Sequence, residues 1–133
     1  MTETVEIFYG DPWNMPFWEG AERKQLVMQH CSDCDAYQFY GRPFCLSCDS
    51  TNLDWKPVSG KGQVYSMSRV HLSFDPNRKP PYIVALVDLD EGPRMLTNII
   101  GDSVSIGDRV IVHWQERDDA PPLALFKLDG DTT

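Results

Sequence analysis

The apolar positions change rhythm along the chain, and each rhythm predicts a different element. Phe17, Trp18 and Ala21 fall on one side of a helix running from about Pro16 to about Lys24. Asn14 is placed to cap it, and Pro16 stands in its first turn, where a missing N–H costs nothing. Gly20 weakens it, so the helix should be short and lean on a partner surface. Leu26-Val27-Met28-Gln29-His30 reads as a strand, and Leu53 to Val58 alternates at Leu53 and Trp55. A turn cluster, Ser59-Gly60-Lys61-Gly62, ends this stretch. Beyond it the texture is β. Gln63 to His71 should bury Val64, Met67 and Val70, and Tyr82 to Leu89 is a strongly β-branched strand. Arg94 to Ile100, Arg109 to Gln115 and Leu123 to Leu128 follow. Asp90-Glu91-Gly92-Pro93 is a hairpin signal, and Ser105-Ile106-Gly107-Asp108 a further turn. Asp75 to Pro81 is a loop with three prolines.

Five late strands without a crossover helix form a small sheet with exposed edges unless it closes. A C-terminal five-stranded Greek-key barrel of the OB-fold type is the simplest closed solution, and a small open sandwich the alternative. The chain is therefore mainly β. It divides into a lead-in and N-terminal helix at 1–25, a cysteine-bearing module at 26–58 and the barrel at 59–133. Its 133 residues suffice for one domain with a small attached module.

The module at 26–58 holds every cysteine of the chain. Cys31-x2-Cys34 is followed, after ten residues, by Cys45-x2-Cys48. Each pair offers two thiolates from one tight turn, and two such turns supply tetrahedral S₄ coordination. Zinc is the expected ion. A rubredoxin-like iron site shares the ligand set, and spacing does not separate the two. Disulfides would require an oxidising compartment, and a thioredoxin-like pair a βαβ context that is absent. Asp35 and Asp49 follow the second cysteine of each pair, where glycine usually supplies a positive φ. Asp tolerates that conformation better than most residues. A closed S₄ site has no open position, so the ion should fold the module rather than activate water.

Charge narrows the choice of partners. The formal net charge is −8, which disfavours phosphate neutralisation and hence a nucleic-acid-binding zinc-ribbon OB module. Residues 1–55 carry three basic and nine acidic side chains, whereas residues 56–94 carry six basic and four acidic. That middle segment alone would attract an anion. No apolar run approaches a membrane span, and the acidic N-terminus lacks a signal-peptide pattern, so a reducing cytoplasm is the expected location. His30, His71 and His113 form no triad with a nucleophile, the cysteines being committed to metal. No catalytic residue is predicted.

Taken together, several of these residues resemble the DUF35 family of acyl-CoA-associated zinc-ribbon OB-fold proteins. They include Phe17-Trp18-Glu19-Gly20, Leu26 to Gln29 running into the first cysteine pair, and Arg42-Pro43-x-Cys45-x2-Cys48. Trp55, Ser59-Gly60-x-Gly62-x-Val64-Tyr65-Ser66, Pro81-Tyr82-Ile83-Val84-Ala85-Leu86-Val87, Glu91-Gly92 and Ile106-Gly107 continue the likeness. It spans nearly the whole chain, with Asp35 and Asp49 as its departures. The resemblance implies an N-terminal helix, a rubredoxin-like zinc ribbon and an OB barrel. It also implies an accessory, non-catalytic subunit of a thiolase-like enzyme acting on acyl-CoA substrates, supporting assembly and the acyl-CoA path. Such an enzyme could be an aldolase in steroid side-chain degradation, an acetyl-CoA acetyltransferase with hydroxymethylglutaryl-CoA synthase, or an acyltransferase.

Two surfaces are then expected. Trp13, Phe17, Trp18, Phe39 and Tyr40 crowd a segment too short to bury them all, which points to a partner interface. Arg69, Arg78 and Lys79 lie in the net-positive middle segment, where they could contact the phosphates of CoA.

Overall fold

The structure is a computed structural model that describes residues 14–72, 79–101 and 103–129. Within them, helix α1 (Met15–Glu22) is followed by β1 (Val27–Cys31), β2 (Tyr37–Gln38) and β3 (Leu53–Pro57). Then come β4 (Lys61–Val70), β5 (Tyr82–Leu89), β6 (Arg94–Ile99), β7 (Arg109–Gln115) and β8 (Leu123–Leu128).

Helix α1 ends before Lys24. Lys24 adopts φ 57°, and its N–H reaches the Ala21 carbonyl at 2.9 Å while that of Gln25 reaches Gly20 at 2.9 Å. This pair of bonds closes a helix C-terminus. Asn14 occupies the N-cap without capping through its side chain. Its Oδ1 accepts instead from the Gly41 N–H at 2.8 Å. Both residues are buried, and an interior amide without a partner costs more than a helix end that water can reach. Gly20 is required by packing: a Cβ there would lie 2.8 Å from the Gln25 carbonyl oxygen and 2.9 Å from Val27 Cγ2.

The first sheet has the order β2-β1-β3, all antiparallel. Every residue of β1 is buried, which explains its continuous rather than alternating pattern. The two-residue strand β2 pairs Gln38 with Gln29 and Tyr37 with His30. It is too short to show any period in the sequence.

The second sheet is a closed barrel of order β4-β5-β6-β8-β7, with β7 returning to β4. All its pairings are antiparallel except β6 with β8. This is the five-stranded OB-type barrel. A register shift between Val64 and Ser66 interrupts β4. The extra residue explains why Val64 and Met67 both turn inward although three residues apart. Strands β5 and β6 alternate strictly, with Ile83, Ala85, Val87 and Leu89 facing Met95 and Ile99 inside.

One core joins the two sheets. Phe17 of α1 and Leu26 and Met28 of the ribbon belong to the same buried cluster as Val64, Ile83, Val110 and Phe126 of the barrel. Among the described residues no helix is long and apolar enough to cross a membrane.

Candidate functional site

The two cysteine turns are built alike. In the first, the Asp35 N–H donates to the Cys31 carbonyl at 2.9 Å and Cys31 N–H to Ala36 at 2.9 Å. In the second, Asp49 N–H donates to Cys45 at 2.9 Å and Cys45 N–H to Ser50 at 2.8 Å. Asp35 and Asp49 take φ 66° and 65°, so aspartate occupies the left-handed positions expected for glycine. The turns are tied together by Asp33, which accepts from Ser50 Oγ and from Asn52 Nδ2 at 2.9 Å.

All four Sγ atoms lie within 4.8 Å of one another. Cys31 and Cys48 are 3.6 Å apart, as are Cys34 and Cys45. A tetrahedral zinc site with bonds of about 2.3 Å has sulfur–sulfur edges of about 3.8 Å. The separations fit that polyhedron and are far beyond a disulfide bond of about 2.05 Å. Cys31 and Cys45 are buried, while Cys34 and Cys48 reach the surface. The thiols resist ionising together. Cys45 is drawn down to about 7: burial opposes the shift, but the Ser47 and Cys48 N–H groups outweigh it. Cys48 is pushed up to about 12: the Ser50 N–H favours its thiolate, but burial and the three neighbouring sulfurs prevail. A divalent cation reverses that balance. The site is a structural zinc centre.

His30, next to Cys31, is not directed at the ion. Its ring is buried, with Nε2 2.5 Å from Asp35 Oδ1 and Nδ1 2.9 Å from Asp54 Oδ1. Two carboxylates accept from one ring only if both nitrogens carry protons. Its pKa is accordingly raised, chiefly by the bond to Asp35, against the opposing effect of burial. The His30 ring thus clamps the first turn to β3. Asp35 is more than a tolerated substitute for glycine, because its carboxylate is one jaw of that clamp.

The predicted aromatics come together only in part. Phe17 is buried, Trp18 and Phe39 are half-buried, and Tyr40 is exposed. Phe17 stacks at 5.0 Å from both Trp18 and Phe39. These four rings line a cavity of about 190 Å³ against β6 and β8. Trp13 lies outside the described residues. Arg69 on β4 and Lys79 ahead of β5 are exposed, while Arg78 falls outside the described residues. Sequence reasoning missed two exposed apolar residues, Phe44 just before the second cysteine pair and Leu46 within it. It also missed the buried amides of Gln29 and Gln38, for which a polar residue inside an apolar strand was the one available signal.

With the geometry in place, comparison with known proteins defines the class. Residues 18–54 match a family model described as the ChsH2 rubredoxin-like zinc ribbon domain, and residues 55–115 one described as the ChsH2 C-terminal OB-fold domain. A DUF35 domain-containing scaffold protein of Methanothermobacter thermautotrophicus is 33% identical over 83% of this chain and 80% of its own length. The chain belongs to the DUF35 family, in its ChsH2-like zinc-ribbon OB-fold form. A probable enoyl-CoA hydratase alpha subunit of Thermomonospora curvata is 38% identical over 84% of the chain, which spans only 36% of that protein. A solved structure titled as the Ltp2–ChsH2(DUF35) aldolase is 35% identical with a TM-score of 0.81, covering 89% of this chain and 95% of that one.

Proposed function

We propose that this chain is the accessory subunit of a thiolase-like enzyme acting on acyl-CoA substrates, and that the partner is an aldolase. One observation carries the reading. Ribbon and barrel together match, at a TM-score of 0.81, a chain of the Ltp2–ChsH2(DUF35) aldolase. A closed tetrathiolate offers no site for Lewis-acid chemistry, so bond cleavage falls to the partner. Steroid side-chain degradation is the setting the resemblance favours. The hydratase name of the Thermomonospora relative is not transferred, because this chain spans only 36% of that protein.

The interface of this reading involves Trp18, Phe39 and Tyr40, which combine aromatic area with partial exposure. Arg69 and Lys79 supply cations suited to a CoA phosphate. Reduced cysteines suit a cytoplasmic location. The test is co-expression with thiolase-like candidates followed by size-exclusion chromatography. A stable heteromer containing zinc supports the reading, and Trp18→Glu should abolish it while zinc is retained. Failure of the folded chain to associate with any such candidate rejects it. For the phosphate contacts, Arg69→Ala and Lys79→Ala should raise the KM for acyl-CoA and flatten its salt dependence; an unchanged KM removes that part.

A further inference from the structure

Three large apolar side chains reach solvent within seven residues: Tyr40 at 51%, Phe44 at 43% and Leu46 at 56% exposed. Exposed apolar residues scattered singly are ordinary, but three on one seven-residue loop are not. The loop that carries them is fastened from below. Gln29 Oε1 accepts from the Arg42 N–H at 2.9 Å, and Gln29 Nε2 donates to the Arg42 carbonyl at 2.9 Å. Gln38 Oε1 accepts from the Leu46 N–H at 3.0 Å, and its Nε2 donates to the Phe44 carbonyl at 3.1 Å and to Gln29 at 2.7 Å. Asn14 holds Gly41. Three buried amide side chains, from α1's cap, β1 and β2, thus fix a loop whose apolar side chains point to water. Preorganisation of this kind lowers the ordering cost of binding.

We propose that the Tyr40–Leu46 loop is the anchor by which the ribbon seats in its thiolase-like partner, Phe44 and Leu46 entering an apolar pocket with a basic rim. This rests on the functional reading above. The basic rim follows from charge. Leu46 lies within the second cysteine turn, three residues before exposed Asp49, with exposed Asp33 on the facing turn. Against these acids the loop itself offers only Arg42. A second copy of this chain docking through the same loop would bring two acidic turns together, a like-charge juxtaposition that disfavours self-association. A partner of opposite charge is attracted by the same surface.

The experiment measures binding kinetics between the full zinc-loaded chain and the thiolase-like subunit with which it co-purifies. Phe44→Ala with Leu46→Ala should weaken Kd by at least about 30-fold, the scale of a central apolar anchor. Asp49→Asn should slow association and reduce its salt dependence while leaving dissociation nearly unchanged. Zinc content and far-UV circular dichroism report whether the variants fold. Leu46→Lys, at the most exposed position, should give the same loss if the double variant sheds zinc. Binding within about twofold of wild type by a folded, zinc-loaded variant overturns the proposal, since a hot spot is defined by a larger loss. A wild-type dimer that the double variant abolishes, with partner binding intact, also overturns it by assigning the loop to self-association. Failure of the folded wild type to bind any thiolase-like subunit instead removes the functional reading, and the proposal with it.

Discussion

Replacing Phe17 with alanine should destabilise the whole molecule, and the size of the effect follows from where the ring sits. Phe17 is 6% exposed and packs edge-on against Trp18 and beside Phe39. It is the residue through which α1 enters the core shared by ribbon and barrel. A buried phenylalanine covers about 150–250 Å². At about 25 cal/mol per Å², after subtracting what alanine retains, its loss costs about 3–5 kcal/mol. The adjoining cavity of about 190 Å³ already leaves part of the ring without neighbours, so the lower end, about 3 kcal/mol, is expected. Denaturant unfolding followed by both tryptophan fluorescence and far-UV circular dichroism provides the assay. Both signals should move to a lower midpoint together, with zinc still bound in native buffer. A loss below about 0.5 kcal/mol, the ordinary range for a surface change, would refute the packing argument. So would a fluorescence transition that shifts while the barrel's does not, because α1 would then lie outside the common core.

Further outcomes follow from the ribbon and the barrel. A strong chelator should extract zinc and lower the melting temperature while ribbon ellipticity is lost; unchanged melting after complete zinc removal contradicts a structural ion. Asp49→Gly should leave the melting temperature level or raise it, since glycine relieves a positive φ. Asp35→Gly should lower it, because buried His30 loses an acceptor; equal responses in calorimetry would remove the clamp. Gly62→Ala should cost about 1–3 kcal/mol by overpacking, a Cβ there lying 2.5 Å from the Asp88 carbonyl oxygen. Thermal unfolding of that variant checks it, and wild-type stability contradicts the close approach of β4 to β5.

The parts of this structure legible in the sequence were those set by local pattern. Strands β5, β7 and β8 begin and end where alternation and turn residues place them. The four ligands converge as their spacing requires, because each pair is held by one short turn. What escaped depends on contacts distant in the chain. Asn14 looks like a helix cap until Gly41 is found beside it. The phase change in β4 comes from a bulge set by its neighbours. His30 reads as a bystander of the metal until Asp54, 24 residues on, closes the clamp. Phe44 ends the spacer between the cysteine pairs and Leu46 lies inside the second pair, where no periodicity exists. Their exposure is decided by two glutamine amides on β1 and β2.

The central claim, that this chain completes an acyl-CoA enzyme without supplying its catalytic groups, is tested most directly by reconstitution. Retro-aldol cleavage of a steroid acyl-CoA would be assayed with the zinc-loaded chain alone, the thiolase-like subunit alone, and the two together. The account predicts that the chain alone is inert and that cleavage is restored or strongly enhanced by mixing. Turnover by the isolated chain, or full turnover by the isolated partner with no response to added chain, would contradict it.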